Sequence, residues 1–258
     1  MSAAGRARAV TSRAAPGQLR LRDVPMILMY HGVADVAEDP NLLQVTPARF
    51  AQQMAWLQSR GLRGVGTGEL AHAIREGRQR GLVGITFDDG YTSVLDAALP
   101  ELRRHGFGAT VFVIADRLGG TNEWDEGPAW PLLTAEQVRE LAAAGLEIGS
   151  HGTTHVRLAG LGPQQLAAEV AGSRAALTTL LGRPVRGFAY PYGSMDAAAR
   201  QAVHDAGYQY ACAVEAATAE LGFMALPRIY AGQQDSAARL AAKRLLYRGY
   251  IAVRRRHQ

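Results

Sequence analysis

A chain of 258 residues that is 48% hydrophobic can bury a sizeable core, which excludes a globally disordered protein. Its formal net charge is +5, but the bases crowd the ends: Arg6, Arg8, Arg13, Arg20 and Arg22 near the start, Arg254, Arg255 and Arg256 near the finish. Between them the charges are mixed, so no nucleic-acid-binding face is expected.

A single cysteine, Cys212, excludes an intrachain disulfide and any metal site built from several thiolates. In the apolar run YACAV it reads as an inert core thiol. Residues 1–24 carry arginines without an apolar stretch, so they read as a flexible arm and not as a signal peptide. No run of about 18 apolar residues occurs, so no transmembrane helix is expected. The default location is cytoplasmic, with export by another route left open.

PMILMYHG (25–32) reads as a buried strand ending at His31. TPARFAQQMAWLQSRG (46–61) is a helix, with a Thr cap, proline at the first helical position and Gly61 as its stop. GTGELAHAIREG (66–77) is a shorter helix. LVGITF (82–87) is a strand that delivers Asp88 and Asp89. YTSVLDAALPELRRHG (91–106) is helical, with Pro100 expected to kink it or split off its last turn. ATVFVI (109–114) is a strand, followed by a loop with Trp124, Asp125 and Trp130. A capping box, Thr134 to Gln137, opens a helix over 134–145. LEIGSH (146–151) is a strand ending at His151. Residues 162–182 form one long amphipathic helix. GFAYPYG (187–193) is a short strand running into a proline turn. A helix near 195–206, a strand near 208–214, the segment ALPRIYAG (225–232) and a helix near 235–248 complete the pattern.

Strand and helix alternate about six to seven times, the signature of a parallel sheet with helical crossovers. At this length a barrel is favoured over an open sheet. No G-x-G-x-x-G or Walker pattern follows any strand, which counts against a dinucleotide fold. One domain is expected over 25–248, with a basic tail over 249–258.

The polar residues recur in one kind of place. His31, Asp88, Asp89, His151 and Tyr192 each fall at or just past the C-terminal end of a strand, and in a parallel barrel those ends converge on one face. In SHGTTH, His151 and His155 are four apart. On a helical turn that spacing makes a two-point metal clamp; two ordinary loop histidines are the alternative. A carboxylate as third ligand would give a two-histidine, one-aspartate set with an open fourth position, the pattern of catalytic zinc. Adjacent ionised aspartates repel. A cation resolves this if one aspartate binds it and the other serves as general base; DDG also fits an N-cap and turn.

TFDDG (86–90), SHGTTH (150–155) and FAYPYG (188–193), in this order, resemble the motifs of the polysaccharide deacetylases with the NodB-homology domain. ILMYHGV (27–33) and LPRI (226–229) look like one branch of that family, and the resemblance spans about 25–235. It implies a distorted (β/α) barrel of the polysaccharide deacetylase type and metal-dependent removal of N-acetyl groups from an amino-sugar-containing carbohydrate. Asp88 would be the general base, and Asp89, His151 and His155 would bind the metal: zinc, or cobalt or nickel in its place. The backbone N–H of Tyr192 would face the oxyanion.

The sequence departs from that pattern in two places. Many members carry an arginine two residues before the third motif's proline, where this chain has Ala189, and no late Leu-x-His motif is present. Arg228 is the candidate to pair with Asp88 instead, against a surface arginine. His31 is read as a pocket residue or the missing acid, against a histidine tying two loops together. Trp124, Asp125 and Trp130 are read as a sugar-stacking loop or as ordinary packing. His72, His105 and His204 fall on helices and are expected in solvent. Two other functions fit the same residues: hydrolysis of a non-sugar amide, and non-catalytic glycan binding.

Overall fold

The computed structural model describes residues 26–214 and 222–254. The expected arm, 1–24, and the last residues of the expected tail, 255–258, lie outside them. In chain order the elements are β1 (Ile27–Tyr30), β2 (Gly32–Val33), β3 (Gln44–Val45), α1 (Pro47–Ser59), β4 (Arg63–Val65), α2 (Thr67–Arg75), β5 (Leu82–Phe87), α3 (Leu99–His105), β6 (Thr110–Val113), α4 (Ala135–Ala143), β7 (Glu147–Ser150), α5 (Pro163–Ala167), α6 (Ser173–Leu181), β8 (Gly187–Ala189), α7 (Ala197–Asp205), β9 (Tyr210–Ala213), β10 (Leu226–Pro227), β11 (Ile229–Tyr230) and α8 (Ala237–Arg254).

The main sheet runs β10-β9-β8-β7-β6-β5-β1-β11, with β4 on the first half of β5. Its pairings among the described residues are all parallel. The two ends of this order are consecutive pieces of one extended segment. Leu226-Pro227 pairs with β9, and Ile229-Tyr230 pairs with β1. Residues 226–230 therefore curl the sheet back on itself into a nearly closed barrel, and Arg228 is the residue at the seam.

Ile27, Val65, Phe112, Ala189, Tyr210, Cys212 and Leu226 form one buried cluster with Leu70, Ala71 and Ile74 of α2. Close fit inside the barrel depends on glycine at one point in particular: a Cβ at Gly149 would stand 2.4 Å from the Phe112 ring. Burial pushes the Cys212 thiol up to about 12, so it is protonated and unreactive, as its surroundings predict. The larger cluster lies under the helices. There α1 buries Phe50, Met54 and Leu57, and Tyr30, Phe50 and Phe87 pack ring on ring.

The capping signals are realised. Thr46 accepts from the Arg49 N–H at the start of α1. Thr134 and Gln137 complete both bonds of a capping box, worth about 1 kcal/mol at such a position.

Four expectations need correction. The helix read over 91–106 is a π turn, Val94–Ala98, running straight into α3, with Pro100 near the junction of the two. The helix read over 162–182 is interrupted by a π turn, Ala168–Gly172. Helix α8 runs to Arg254, past its expected end at 248. His105 is held between Gln58 and Glu101, in contrast to the exposed His72 and His204.

Candidate active site

The β5 strand ends in a sharp turn. The Asp88 N–H continues the ladder to the Tyr30 carbonyl at 2.9 Å. Asp89 and Gly90 then take left-handed conformations, φ 68° and 80°. Such a turn sends two adjacent carboxylates in different directions, and here each meets different partners.

Asp88 meets Arg228. The guanidinium donates to both carboxylate oxygens, at 2.6 and 2.7 Å, and also to Thr86 Oγ1 and the Ala213 carbonyl. Both side chains are buried, so this is a bidentate ion pair removed from water. Burial works to raise the Asp88 carboxyl, but Arg228, followed by His151, outweighs it and holds the group below the usual carboxylate range.

Asp89 meets two histidines. Its Oδ1 lies 3.4 Å from His151 Nε2 and 3.3 Å from His155 Nε2. All three side chains are buried, and their donor atoms lie within 4.8 Å of one another. His151 Nδ1 donates to the Ala189 carbonyl at 2.8 Å, which turns Nε2 toward the cluster. Burial, joined by neighbouring His155, pushes His151 down to about 4 against the pull of Asp88 and Asp89. The imidazole is therefore neutral near pH 7, the form that ligates a metal. Burial would raise Asp89, but His155, His31 and His151 outweigh it and keep the carboxyl well below its ordinary range. One carboxylate oxygen and two imidazole nitrogens converging on one buried point fit a divalent cation better than they fit one another.

The geometry of SHGTTH differs from its sequence reading. No helical turn joins the two histidines. Gly152 and His155 adopt φ 84° and 69°, and a loop brings the rings to 5.0 Å. Asp89, His155 and Tyr192 are three of the four non-glycine residues with positive φ among those described. Strain of this kind collects where function demands it.

The chain between residues 75 and 211 matches the family model described as polysaccharide deacetylase. The chain belongs to the polysaccharide deacetylase family. YxkH of Bacillus subtilis (strain 168), which carries the same family name, is 32% identical over 207 residues, 79% of this chain and 70% of that protein. The structure of IcaB from Ammonifex degensii matches with TM-score 0.70 at 27% identity, over 85% of this chain and 96% of that one. The Streptococcus pyogenes deacetylase PplD, in complex with acetate, matches in fold with TM-score 0.73 at 24% identity, over 84% and 96%. As a polysaccharide deacetylase the chain is a hydrolase of carbon–nitrogen bonds other than peptide bonds. No helix among the described residues is long and apolar enough to cross a membrane.

The remaining sequence candidates distribute unevenly around this deacetylase site. Tyr192 is 41% exposed, and its ring lies 4.6 Å from His155. The Arg157 guanidinium also stands 4.4 Å from that ring. The Trp124 ring packs at a tilt against His155, 4.5 Å between centroids, while Trp130 turns away to pack on Tyr91. Asp125 is half-buried, and burial and then Asp89 push its carboxyl up. His31 lies just past β1 with Nδ1 buried and unpartnered, and it is among the groups acting electrostatically on both Asp88 and Asp89.

Two residues escaped the sequence reading. Tyr91 is buried, and burial with the charges of Asp89 and Asp125 keeps its phenol protonated. Glu169 is buried against the SHGTTH loop. It shares the stripe of Leu166, Val170 and Leu177, and a charge on an otherwise apolar helical stripe was the available signal.

Proposed function

We propose that this polysaccharide deacetylase removes N-acetyl groups from an amino-sugar-containing carbohydrate, with a divalent metal held by Asp89, His151 and His155. The observation that carries this reading is the division of labour between adjacent aspartates: one faces two imidazoles, the other a buried arginine. Two nitrogens and one oxygen suit zinc, and cobalt or nickel accept the same donors. When bound, such an ion polarises a carbonyl and lowers the pKa of its water.

The chain's own residues supply the rest. Asp88, kept ionised by Arg228, accepts a proton as a water oxygen bonds to the acetyl carbon. The carbonyl oxygen gains negative charge near the Tyr192 backbone N–H, which donates to it. The carbon–nitrogen bond then breaks. Its electron pair stays on nitrogen, which takes a proton and leaves as the amine, while acetate departs. His31, at the end of β1, is the group assigned to deliver that proton.

Acetate release from a panel of N-acetylated oligosaccharides tests this directly. Release is expected with added zinc and is expected to stop with chelator. Release from small non-sugar amides alone would move the substrate to that class. Zinc binding without release from either would favour a glycan-binding role.

Trp124, His155 and Tyr192 form a continuous aromatic wall beside the site. A sugar ring stacked there is expected to contribute about 1 kcal/mol. Trp124→Ala is accordingly expected to raise KM for an oligosaccharide about five- to tenfold, with kcat within about twofold. An unchanged KM would remove Trp124 from the substrate-binding surface.

A further inference from the structure

The loop from His151 to His155 has an energetic problem. It must return the chain so that a second imidazole meets the same Asp89 oxygen, yet it has neither a helix nor a ladder to hold it. His155 sits in a left-handed conformation that is strained for a non-glycine residue. Something outside the loop must fix it.

That support comes from the π turn at 168–172. Glu169 Oε2 accepts from the backbone N–H groups of Thr153 and Thr154, at 2.9 and 3.0 Å. Its Oε1 accepts from the Thr154 hydroxyl at 2.5 Å. The same turn presents the Ala168 and Glu169 carbonyls to the Thr153 hydroxyl, at 2.8 and 3.1 Å. One helical step on, Ser150 donates to Ser173 at 2.8 Å and accepts from the Gly152 N–H at 3.2 Å. A Cβ on residue 152 would stand 3.2 Å from Glu169 Oε2, and φ there is 84°, so glycine is what lets the carboxylate approach.

Glu169 is 8% exposed and has no cationic side chain within ion-pair distance among the described residues. Burying such a charge is expensive unless its lone pairs are filled, and here three donors of one loop fill them. The widened helical turn is itself uncommon, and such turns recur at functional sites.

We propose that Glu169 is a positioning residue of the metal site. It clamps Thr153 and Thr154 so that His151 and His155 present their Nε2 atoms to one point. This rests on the reading of Asp89, His151 and His155 as metal ligands. Losing a supporting contact of this kind typically costs 10- to 100-fold in metal affinity.

The test compares zinc affinity, by competition with a chromophoric chelator, across Glu169→Ala, Glu169→Gln, Thr154→Val and Val138→Ala. Glutamine can keep both backbone bonds through its oxygen and reach the Thr154 hydroxyl through its amide. It is expected to hold zinc within about threefold of wild type, while alanine loses about 10- to 100-fold. Thr154→Val is expected to fall between them. Val138→Ala is a core truncation on α4, which should lower the melting temperature and leave affinity unchanged. Wild-type affinity in folded Glu169→Ala would overturn the proposal. So would wild-type affinity in Thr154→Val if the alanine variant does not fold.

Amide hydrogen exchange over residues 150–158 in the metal-free protein separates this idea from the one beneath it. If wild type binds no zinc, the metal reading falls. Faster exchange in Glu169→Ala, restored in Glu169→Gln, would still establish the clamp, and unchanged exchange would overturn it.

Discussion

Arg228→Ala is expected to cost about 3–5 kcal/mol of folding stability, measured by urea unfolding near pH 7, because it strands an ionised carboxylate in the interior. Asp88 has both oxygens on this guanidinium, and without it only His151 and His31 are left to oppose burial, so the carboxyl rises. The sign follows for wild type: a depressed Asp88 contributes stability above its unfolded pKa of about 3.9 and loses it as pH falls through the folded value. In the variant the raised carboxyl is penalised while ionised, and the penalty fades on protonation. The stability gap should therefore be widest at neutral pH and should narrow in acid.

The same change is expected to move the acid limb of kcat/KM to higher pH, since that limb reports protonation of the base in free enzyme. Arg228→Lys keeps the charge but not the fork, and should fall between. The arginine also donates to the Ala213 carbonyl at the end of β9, so its loss loosens the barrel seam. An acid limb and an unfolding midpoint both at wild-type values would refute this account of the pair.

The sequence made the barrel's repeating parts legible, because apolar runs and caps are local signals. Strand β5 over 82–87 and the Thr134–Gln137 capping box are visible in the residues themselves. The short strands β2, β3 and β4 carry too few residues for a period to show, and they exist through pairing with neighbours. The π turns were illegible for a related reason: helical periodicity survives a one-residue insertion closely enough to read as one helix.

At the site, His151, His155 and Asp89 were legible as a possible donor set, but the geometry joining the histidines was not. Four-residue spacing suggests a helical turn, whereas Gly152 and a left-handed His155 make a loop. Glu169 was harder to read: two of its three donors are backbone N–H groups, which carry no residue-type signal, and its one local mark is a charge on the buried stripe of its helix. Arg228 was suggested by the family resemblance, whose usual arginine is replaced by Ala189, and by its place in a late segment that could end on the same face. Its actual position depends on residues 226–230 joining both ends of the sheet, which no local pattern encodes.

The two adjacent aspartates should separate cleanly on mutation. Asp88→Asn is expected to lower kcat by about 10²- to 10⁴-fold, the usual range for loss of a general base, with zinc affinity within a few-fold of wild type. An amide cannot accept the water's proton, yet its oxygen can still accept from Arg228, so the seam persists at reduced stability. Asp89→Asn is expected to do the reverse at its origin: it removes the only anionic donor of the three-residue cluster, so zinc affinity should collapse and turnover should recover in part at high zinc. Excess zinc should not rescue Asp88→Asn, because its defect lies in proton transfer. Equal loss of zinc affinity in both variants would sink the division of roles, since it would mean that Asp88 also holds the ion. Wild-type turnover in Asp88→Asn would place the base elsewhere, with His31 the next group on that face.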